Sequence, residues 1–206
     1  MNTATLRIHQ AALRIFAVEG GTNVAVSDLA REAGLSRGTI YNNLEDPHAL
    51  FTSVCETVAT EFRDSINVAC ADMTDPAEKI SASIRLCVRR VHDDPHWGRF
   101  IARYAMIEPS LGSFWAEMPA EELRRGLISG RFTFHRDQVA SITATAGGAT
   151  FGAMTLVLDG RRTWRTAGAD TAEIILRGVG LDRTEARDIT QCELDPLPRL
   201  TVFDAA

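Results

Sequence analysis

The residues best suited to chemistry lie between positions 26 and 44, in the run VSDLAREAGLSRGTIYNNL, whose polar groups could hydrogen-bond to DNA. Two short helices are predicted, over residues 27–33 and 37–43, separated by Gly34, which can end a helix with positive φ at no Cβ cost. Ser36 is a good N-cap for the second helix. This pattern favours a helix-turn-helix, whose second helix enters a major groove. An ordinary helical hairpin is the alternative.

Other chemistry has weaker support in the sequence. Four cysteines, Cys55, Cys70, Cys87 and Cys192, show no CxxC spacing, which predicts free thiols in a reducing cytoplasm rather than disulfides or a zinc site. The sequence contains no nucleophile-plus-base motif and no phosphate-binding loop, and its histidines are scattered. We therefore expect no enzyme activity, no catalytic residues, no metal and no cofactor.

Apolar spacing describes the elements that position these residues. The chain has 206 residues, of which 45% are hydrophobic and 24% charged, as in soluble globular proteins. Apolar residues recur every three to four positions and no stretch alternates with period two, so the fold class is all-α. Helices are predicted over residues 6–19, 27–33, 37–43, 47–72, 76–92, 95–107, 114–129, 138–158, 170–179 and 184–191. Asp46-Pro47, Asp75-Pro76 and Asp94-Pro95 each predict a capping aspartate followed by a proline at the first helical position, and Asp170 is the predicted cap of the helix at 170–179.

The segment 138–158 carries no charge and is long enough to span a bilayer. It is rich in Ser, Thr, Gly and Ala, which favours a helix packed against other protein helices. The first ten residues lack the apolar core of a signal peptide. We expect a cytoplasmic protein with no membrane partner.

The first fifty residues resemble the TetR family of transcriptional regulators. The matching positions are Ile8, Ala11-Ala12, Phe16, Gly20, Leu29-Ala30, Ala33-Gly34-Leu35-Ser36, Arg37-Gly38-Thr39-Ile40-Tyr41 and Ala49-Leu50. Further along, LRRGLISGRF and RGVGLDRTEA are similar to the closing helices of family members. The resemblance implies a three-helix, helix-turn-helix DNA-binding domain over residues 1–46 and an effector-binding and dimerisation domain over residues 47–206.

The resemblance also implies contacts with a double-stranded DNA operator. Arg37 could pair with guanine or phosphate, Thr39 with a base edge, and Asn42 with adenine. The hydroxyl of Tyr41 would reach a phosphate, as the matching tyrosine does in the family. The predicted DNA-binding residues are Ser27, Ser36, Arg37, Gly38, Thr39, Tyr41, Asn42, Asn43 and His48.

Departures from the family pattern reduce the number of phosphate contacts that we expect. Ala25 replaces a threonine that would cap the second helix, and Pro47 replaces a phosphate-binding lysine. Gly21 and Leu44 stand where the family has aromatic residues. The first fifty residues hold four arginines against five acidic residues. Fewer phosphate contacts release fewer counterions, so we expect weak nonspecific DNA binding.

The resemblance also implies a pocket for an apolar small-molecule effector in the predicted effector-binding domain, the body of the protein, which carries most of the large side chains. The predicted lining residues are Phe62, Trp97, Phe100, Arg103, Tyr104, Phe114, Trp115 and Met118. We expect most of these large side chains to belong to a packed core and two or three of them to line the cavity.

Small residues on the uncharged helix would let two backbones approach closely. Together with the helix at 170–179, this segment would form the four-helix dimer interface that the resemblance implies. The predicted interface residues are Gly147, Gly148, Phe151, Gly152, Thr155, Ile174 and Ile175.

The sequence thus predicts a homodimeric, ligand-responsive transcriptional regulator, a repressor released from a pseudo-palindromic operator. Effector binding would shift the long helix at 47–72 and change the separation of the two DNA-binding domains of the dimer. The alternative is a small-molecule binding protein of this fold with weakened or lost DNA binding.

Overall fold

The structure is a computed structural model that describes residues 2–44, 46 and 49–198, with the backbone alone for 113–118. Within those residues the chain forms α-helices and no strand, which confirms the predicted all-α class. The helices are α1 Thr3–Glu19, α2 Val26–Ala33, α3 Arg37–Asn43, α4 Leu50–Ala69, α5 Pro76–Asp93, α6 Pro95–Tyr104, α7 Pro109–Ile128, α8 Val139–Leu158, α9 Trp164–Gly178 and α10 Arg183–Gln191. A single 3-10 turn, Arg136–Gln138, leads into α8.

Helices α1 to α3 form a head whose turns follow the sequence signals. Gly34 ends α2 in the left-handed region at φ +63°. The hydroxyl of Ser36 accepts a hydrogen bond from the Thr39 amide at 3.0 Å and caps α3. Ala25 precedes α2 and provides no side-chain cap, as expected from the missing threonine.

One apolar core runs from the head into the body. Ile8 and Phe16 of α1, together with Ile40 of α3, are fully buried in the same cluster as Val54 of α4 and Phe100 of α6. Phe16 meets Phe51 of α4 edge-on, with ring centroids 5.3 Å apart. The head is therefore packed against α4 and α6 rather than closed on itself.

A second core lies within the body. It is built from α5, α7, α8, α9, α10 and the segment that follows α7, with Leu123, Phe132 and Leu176 nearly inaccessible to solvent. The Phe132 ring covers Gly126, where an added Cβ would lie 1.9 Å from a ring carbon. The predicted Asp-Pro starts are confirmed for α5 and α6, whose caps are Asp75 and Asp94.

Three predicted helix boundaries are corrected. Helix α4 begins at Leu50 without a side-chain cap, and the Asp46 carbonyl instead accepts from the Ala49 amide at 3.1 Å. Helix α7 begins at Pro109, because a proline there needs no amide partner and starts the helix rather than breaking it. Helix α9 begins at Trp164 with Thr163 as its cap, so the predicted cap Asp170 lies inside the helix.

The uncharged segment forms α8 as predicted. By length and composition alone, Arg136–Leu158 could cross a membrane, with a mean hydropathy of 1.3. Helices that pack inside soluble proteins pass the same test. Here one face of α8 packs on the body through buried residues such as Ala146, Ala153 and Met154.

Candidate DNA-binding surface and effector cavity

The outer face of α3 is free for an external partner. Ile40 is fully buried and fixes the helix on the head, while Arg37, Gly38, Tyr41 and Asn42 are exposed. The Tyr41 side chain is 63% exposed. The side chains of Arg37 and Tyr41 have no hydrogen bond or ion pair with any residue that the structure describes. This face can therefore present a guanidinium, a hydroxyl and an amide to DNA.

Three other predicted contact residues are engaged within the head. The hydroxyls of Ser36 and Thr39 lie 2.9 Å apart. Asn43 donates from Nδ2 to the Thr39 carbonyl at 2.8 Å and accepts from Asn2 Nδ2 at 2.9 Å. These residues hold α3 in place, and the last bond ties it to the start of α1.

Two remaining predictions fall at the edges of the head. Ser27 is exposed in the first turn of α2. His48 and the departure at Pro47 lie outside the described residues.

The arginines of the head divide into two groups. Arg7 donates to the Ala33 and Gly34 carbonyls at 2.7 and 3.1 Å, and so provides hydrogen-bond partners for carbonyl groups at the end of α2. Arg14 pairs with Glu32 at 2.7 Å and Arg31 with Asp28 at 2.9 Å. Of the arginines in residues 2–44, only Arg37 is without such a partner among the described residues.

Hydrogen bonds from α6 tie the body to the turn that follows α1. The Tyr104 hydroxyl donates to the Gly21 carbonyl at 2.6 Å and lies 3.2 Å from the Phe16 carbonyl. Arg103 Nη1 also donates to the Phe16 carbonyl, at 3.2 Å. Burial raises the pKa of Tyr104, so its hydroxyl stays protonated and can donate. Sequence reasoning placed both side chains in a pocket and missed this link.

The predicted effector-binding aromatic residues pack around this link. Phe62, Trp97, Phe100 and Tyr104 are each at most 3% exposed. The rings of Phe62 and Trp97 lie 4.8 Å apart, and those of Phe51 and Tyr104 lie 4.9 Å apart. The remaining predicted residues, Phe114, Trp115 and Met118, have side chains outside the described part of the chain.

A cavity of about 780 Å³ lies elsewhere, between α7 and α8. Its walls combine apolar groups such as Met106 and Phe151 with polar ones such as Arg124 and Thr143. No residue predicted to bind the effector is among its described lining residues. The predicted interface residues Gly147, Gly148 and Phe151 are, because α8 forms one wall.

The predicted dimer residues are mostly accessible. Gly148, Gly152 and Thr155 are exposed on α8, and Ile174 of α9 is 65% exposed. Ile175 is corrected: it is only 5% exposed and packs in the second core of its own protomer, so its side chain has no surface to offer.

The cysteines behave as the sequence predicts for free thiols. Cys55, Cys70 and Cys87 are buried and unpaired, and Cys192 is exposed and unpaired. Burial raises the pKa of Cys55 to about 12, which disfavours the reactive thiolate.

A helix-turn-helix head with a free recognition face, packed on a helical body, defines a class of DNA-binding regulatory proteins. Residues 8–43 match the family described as "Bacterial regulatory proteins, tetR family", and residues 75–192 match "Tetracyclin repressor-like, C-terminal domain". The chain belongs to the TetR family.

Relatives and solved structures agree with this assignment. The chain is 33% identical over 106 residues to Rv1255c, an uncharacterized HTH-type transcriptional regulator of Mycobacterium tuberculosis, a match that covers 52% of this chain. The chain spans about half the length of that curated relative, 51%.

Two solved structures extend the comparison over nearly the whole chain. RolR in complex with the ligand resorcinol is 26% identical, with a TM-score of 0.70, and the match covers 95% of this chain and 96% of RolR. The fatty acid degradation regulator FadR from Bacillus halodurans has a TM-score of 0.74 at 17% identity, covering 88% of this chain and 99% of FadR. The FadR match concerns the fold alone.

Proposed function

We propose that this protein is a ligand-responsive transcriptional regulator, a repressor that binds a pseudo-palindromic DNA operator as a homodimer in the cytoplasm. The observation that carries the proposal is the free face of α3, where Arg37, Tyr41 and Asn42 are exposed on a helix anchored by Ile40. Two such heads are needed because half-sites lie about one helical turn, roughly 34–36 Å, apart.

On this proposal each side chain of α3 has its own role. Arg37 pairs with guanine or phosphate and Asn42 with adenine, while the Tyr41 hydroxyl donates to a phosphate. Thr39 and Asn43 contribute mainly by holding the helix, since their polar groups already bond within the head.

The effector is proposed to occupy the cavity between α7 and α8. RolR, which is 26% identical, was solved with resorcinol, a small aromatic diol. The cavity offers apolar walls at Met106 and Phe151 and hydrogen-bonding groups at Arg124 and Thr143, a combination that fits a small aromatic molecule with polar substituents.

A short path connects this cavity to the head. Ala105 and Met106 line the cavity and directly follow Tyr104, which bonds to the turn after α1. An effector that displaces Ala105 would move the Tyr104 hydroxyl relative to the Gly21 carbonyl. The heads would then populate an arrangement that no longer fits successive major grooves.

A second function is favoured by the charges of the head. Arg7, Arg14 and Arg31 are engaged inside the head, and Ala25 provides no cap or hydroxyl. These features favour a protein that binds small molecules while its affinity for DNA is weak.

A salt-dependent titration separates the two functions. The full-length protein is titrated against its own upstream DNA by fluorescence anisotropy at low and moderate salt. The regulator requires a specific complex at micromolar protein or tighter, whereas a folded dimer that gives no specific complex establishes the second function. Arg37→Ala should lower the slope of log affinity against log salt by about two, one for the lost phosphate contact of each subunit in the dimer. The matched control Arg183→Ala, on α10, should leave that slope unchanged.

A further inference from the structure

A second and smaller crevice, of about 110 Å³, lies where the head meets the body. It is bounded by α1, the end of α5 and the first turn of α6. Its lining residues are Gln10, Leu13, Arg14, Arg90, Asp94, His96 and Trp97. It shares none of these with the described lining of the cavity between α7 and α8.

Three buried nitrogen atoms belong to residues that line this crevice. Arg90 is 7% exposed and Trp97 only 1%. Arg90 Nε, Trp97 Nε1 and His96 Nδ1 are each buried without a hydrogen-bond partner among the residues that the structure describes. Buried polar groups in folded proteins are nearly always bonded, so the two unpartnered donors Arg90 Nε and Trp97 Nε1 on residues that line one small space indicate a site for an acceptor.

The groups charged or hydrogen-bonded around the crevice leave Arg90 Nε without a hydrogen-bond partner among the described residues. Arg90 Nη1 lies 3.6 Å from Glu61 Oε1, a loose ion pair, and the guanidinium stands 5.7 Å from the Trp97 ring. Asp94 accepts from the Trp97 amide at 3.0 Å, and Arg14 Nε is bonded to Glu32.

We propose that this crevice binds a small monocarboxylate, whose oxygens accept hydrogen bonds from Arg90 Nε and Trp97 Nε1. Both groups can only donate, and a carboxylate is the common group that only accepts. Guanidinium–carboxylate bonds are also among the stronger hydrogen bonds in proteins. The crevice volume of about 110 Å³ suits a small anion of the size of acetate or propionate.

Such a ligand would bridge the head and the body. It would touch α6 through Trp97 and α5 through Arg90, with Leu13 and Arg14 of α1 forming the opposite wall. Binding would therefore favour the spacing of α1 and α6 seen here. This role is independent of the effector cavity and of DNA binding.

The test uses the full-length protein labelled with ¹⁵N. The chain has three tryptophans, so its indole N–H signals are few, and Trp97→Phe identifies the one from Trp97. Acetate is titrated at constant ionic strength maintained with chloride, and acetamide is titrated separately. We expect a saturable shift of the Trp97 signal at millimolar acetate and at least tenfold weaker binding of acetamide.

Two matched variants locate the site. Arg90→Lys keeps a positive charge opposite Glu61 but removes Nε, and should weaken acetate binding at least tenfold. Arg89→Lys changes the neighbouring arginine, which instead lies 4.9 Å from the Trp164 ring, and should leave binding unchanged. The proposal is overturned if acetate gives no saturable Trp97 shift in the folded protein, if acetamide binds equally well, or if both variants weaken binding alike.

Discussion

The two tyrosines of the chain have opposite environments, and this makes them a matched pair. Tyr104 is 3% exposed and its hydroxyl donates to the Gly21 carbonyl of the head, whereas Tyr41 is 63% exposed and its side chain bonds to no described residue. Removing each hydroxyl should therefore affect a different property.

Tyr104→Phe should destabilise the protein by about 1 kcal/mol, because the Gly21 carbonyl loses its hydrogen bond while the ring packing is kept. Urea unfolding measures this change. The variant should also respond less to effector in the operator titration. An unchanged stability together with an unchanged effector response would contradict the proposed path from cavity to head.

Tyr41→Phe should leave the urea midpoint unchanged and weaken operator binding at least tenfold, because each subunit of the dimer loses one charge-assisted hydrogen bond to phosphate. Anisotropy titration at fixed salt measures the affinity. Equal operator affinity of variant and wild type would mean that the Tyr41 hydroxyl does not bind phosphate.

Local residue signals were predictable from the sequence, and long-range side-chain bonds were not. Gly34 and Ser36 act within one helical turn of their own positions, so the neighbouring residues reveal their roles. Arg7 and Arg103 bond to carbonyls 26 and 87 positions away. Every residue has a backbone carbonyl, so the residue types do not indicate which carbonyl accepts a bond, and the sequence does not predict the roles of these two arginines.

At the scale of elements, one ion-pair network joins three parts of the body. Arg131, after α7, bonds to Asp75 at the start of α5 at 2.8 Å and to Glu185 of α10 at 2.7 Å. Asp75 also accepts from the Ala77 amide at 2.9 Å. Burial opposes the charge on Asp75, but Arg131 and this amide outweigh it and lower its pKa.

This lowered pKa predicts how stability depends on pH. A carboxyl group with a lower pKa in the folded state stabilises the protein fully above its unfolded value of about 3.8, and this contribution is lost as pH falls through the folded pKa. Asp75→Asn should therefore cost about 1–2 kcal/mol at pH 7 and progressively less below pH 4. Urea unfolding between pH 3 and 7 measures the difference. Asp64→Asn, at an exposed position of α4, should have little effect; equal losses in the two variants would contradict the assignment.

Helix existence was easier to predict than helix starts. Asp75 and Asp94 precede prolines, and both caps form as predicted. Helix α9 starts six residues before the predicted Asp170, because Thr163 caps it and its first turns pack on α5 through Gly168. A glycine and small residues give no apolar stripe, so periodicity alone could not place that start.

For the whole molecule, the exposed side of α8 is where a second copy is proposed to pack. Each of the α8 threonines 143, 145, 150 and 155 bonds to a carbonyl four residues earlier in its own helix. These hydroxyls therefore need no partner from another chain. The surface around Gly148 and Gly152 can pack closely through backbone and methyl groups.

Gly152→Leu tests this packing. An added Cβ at Gly152 meets nothing within 4 Å in the protomer, so the fold should persist and the helix should gain intrinsic propensity. We expect the dimer to dissociate at least tenfold more readily in analytical ultracentrifugation. Thr60→Leu puts the same side chain on an exposed position of α4 and should leave the dimer intact. Dimers of equal strength in both variants would exclude this face as the interface.

The core shared by head and body has a consequence for protein engineering. Phe16 packs against Phe51 of α4 in a core that also contains Ile8, and Tyr104 bonds to the turn after α1. A cut at the predicted boundary, residues 46 and 47, would divide this core and uncover both halves. The head is therefore not an independent domain that can be fused to another protein. A chimeric biosensor built with this head would also need to include α4 and α6.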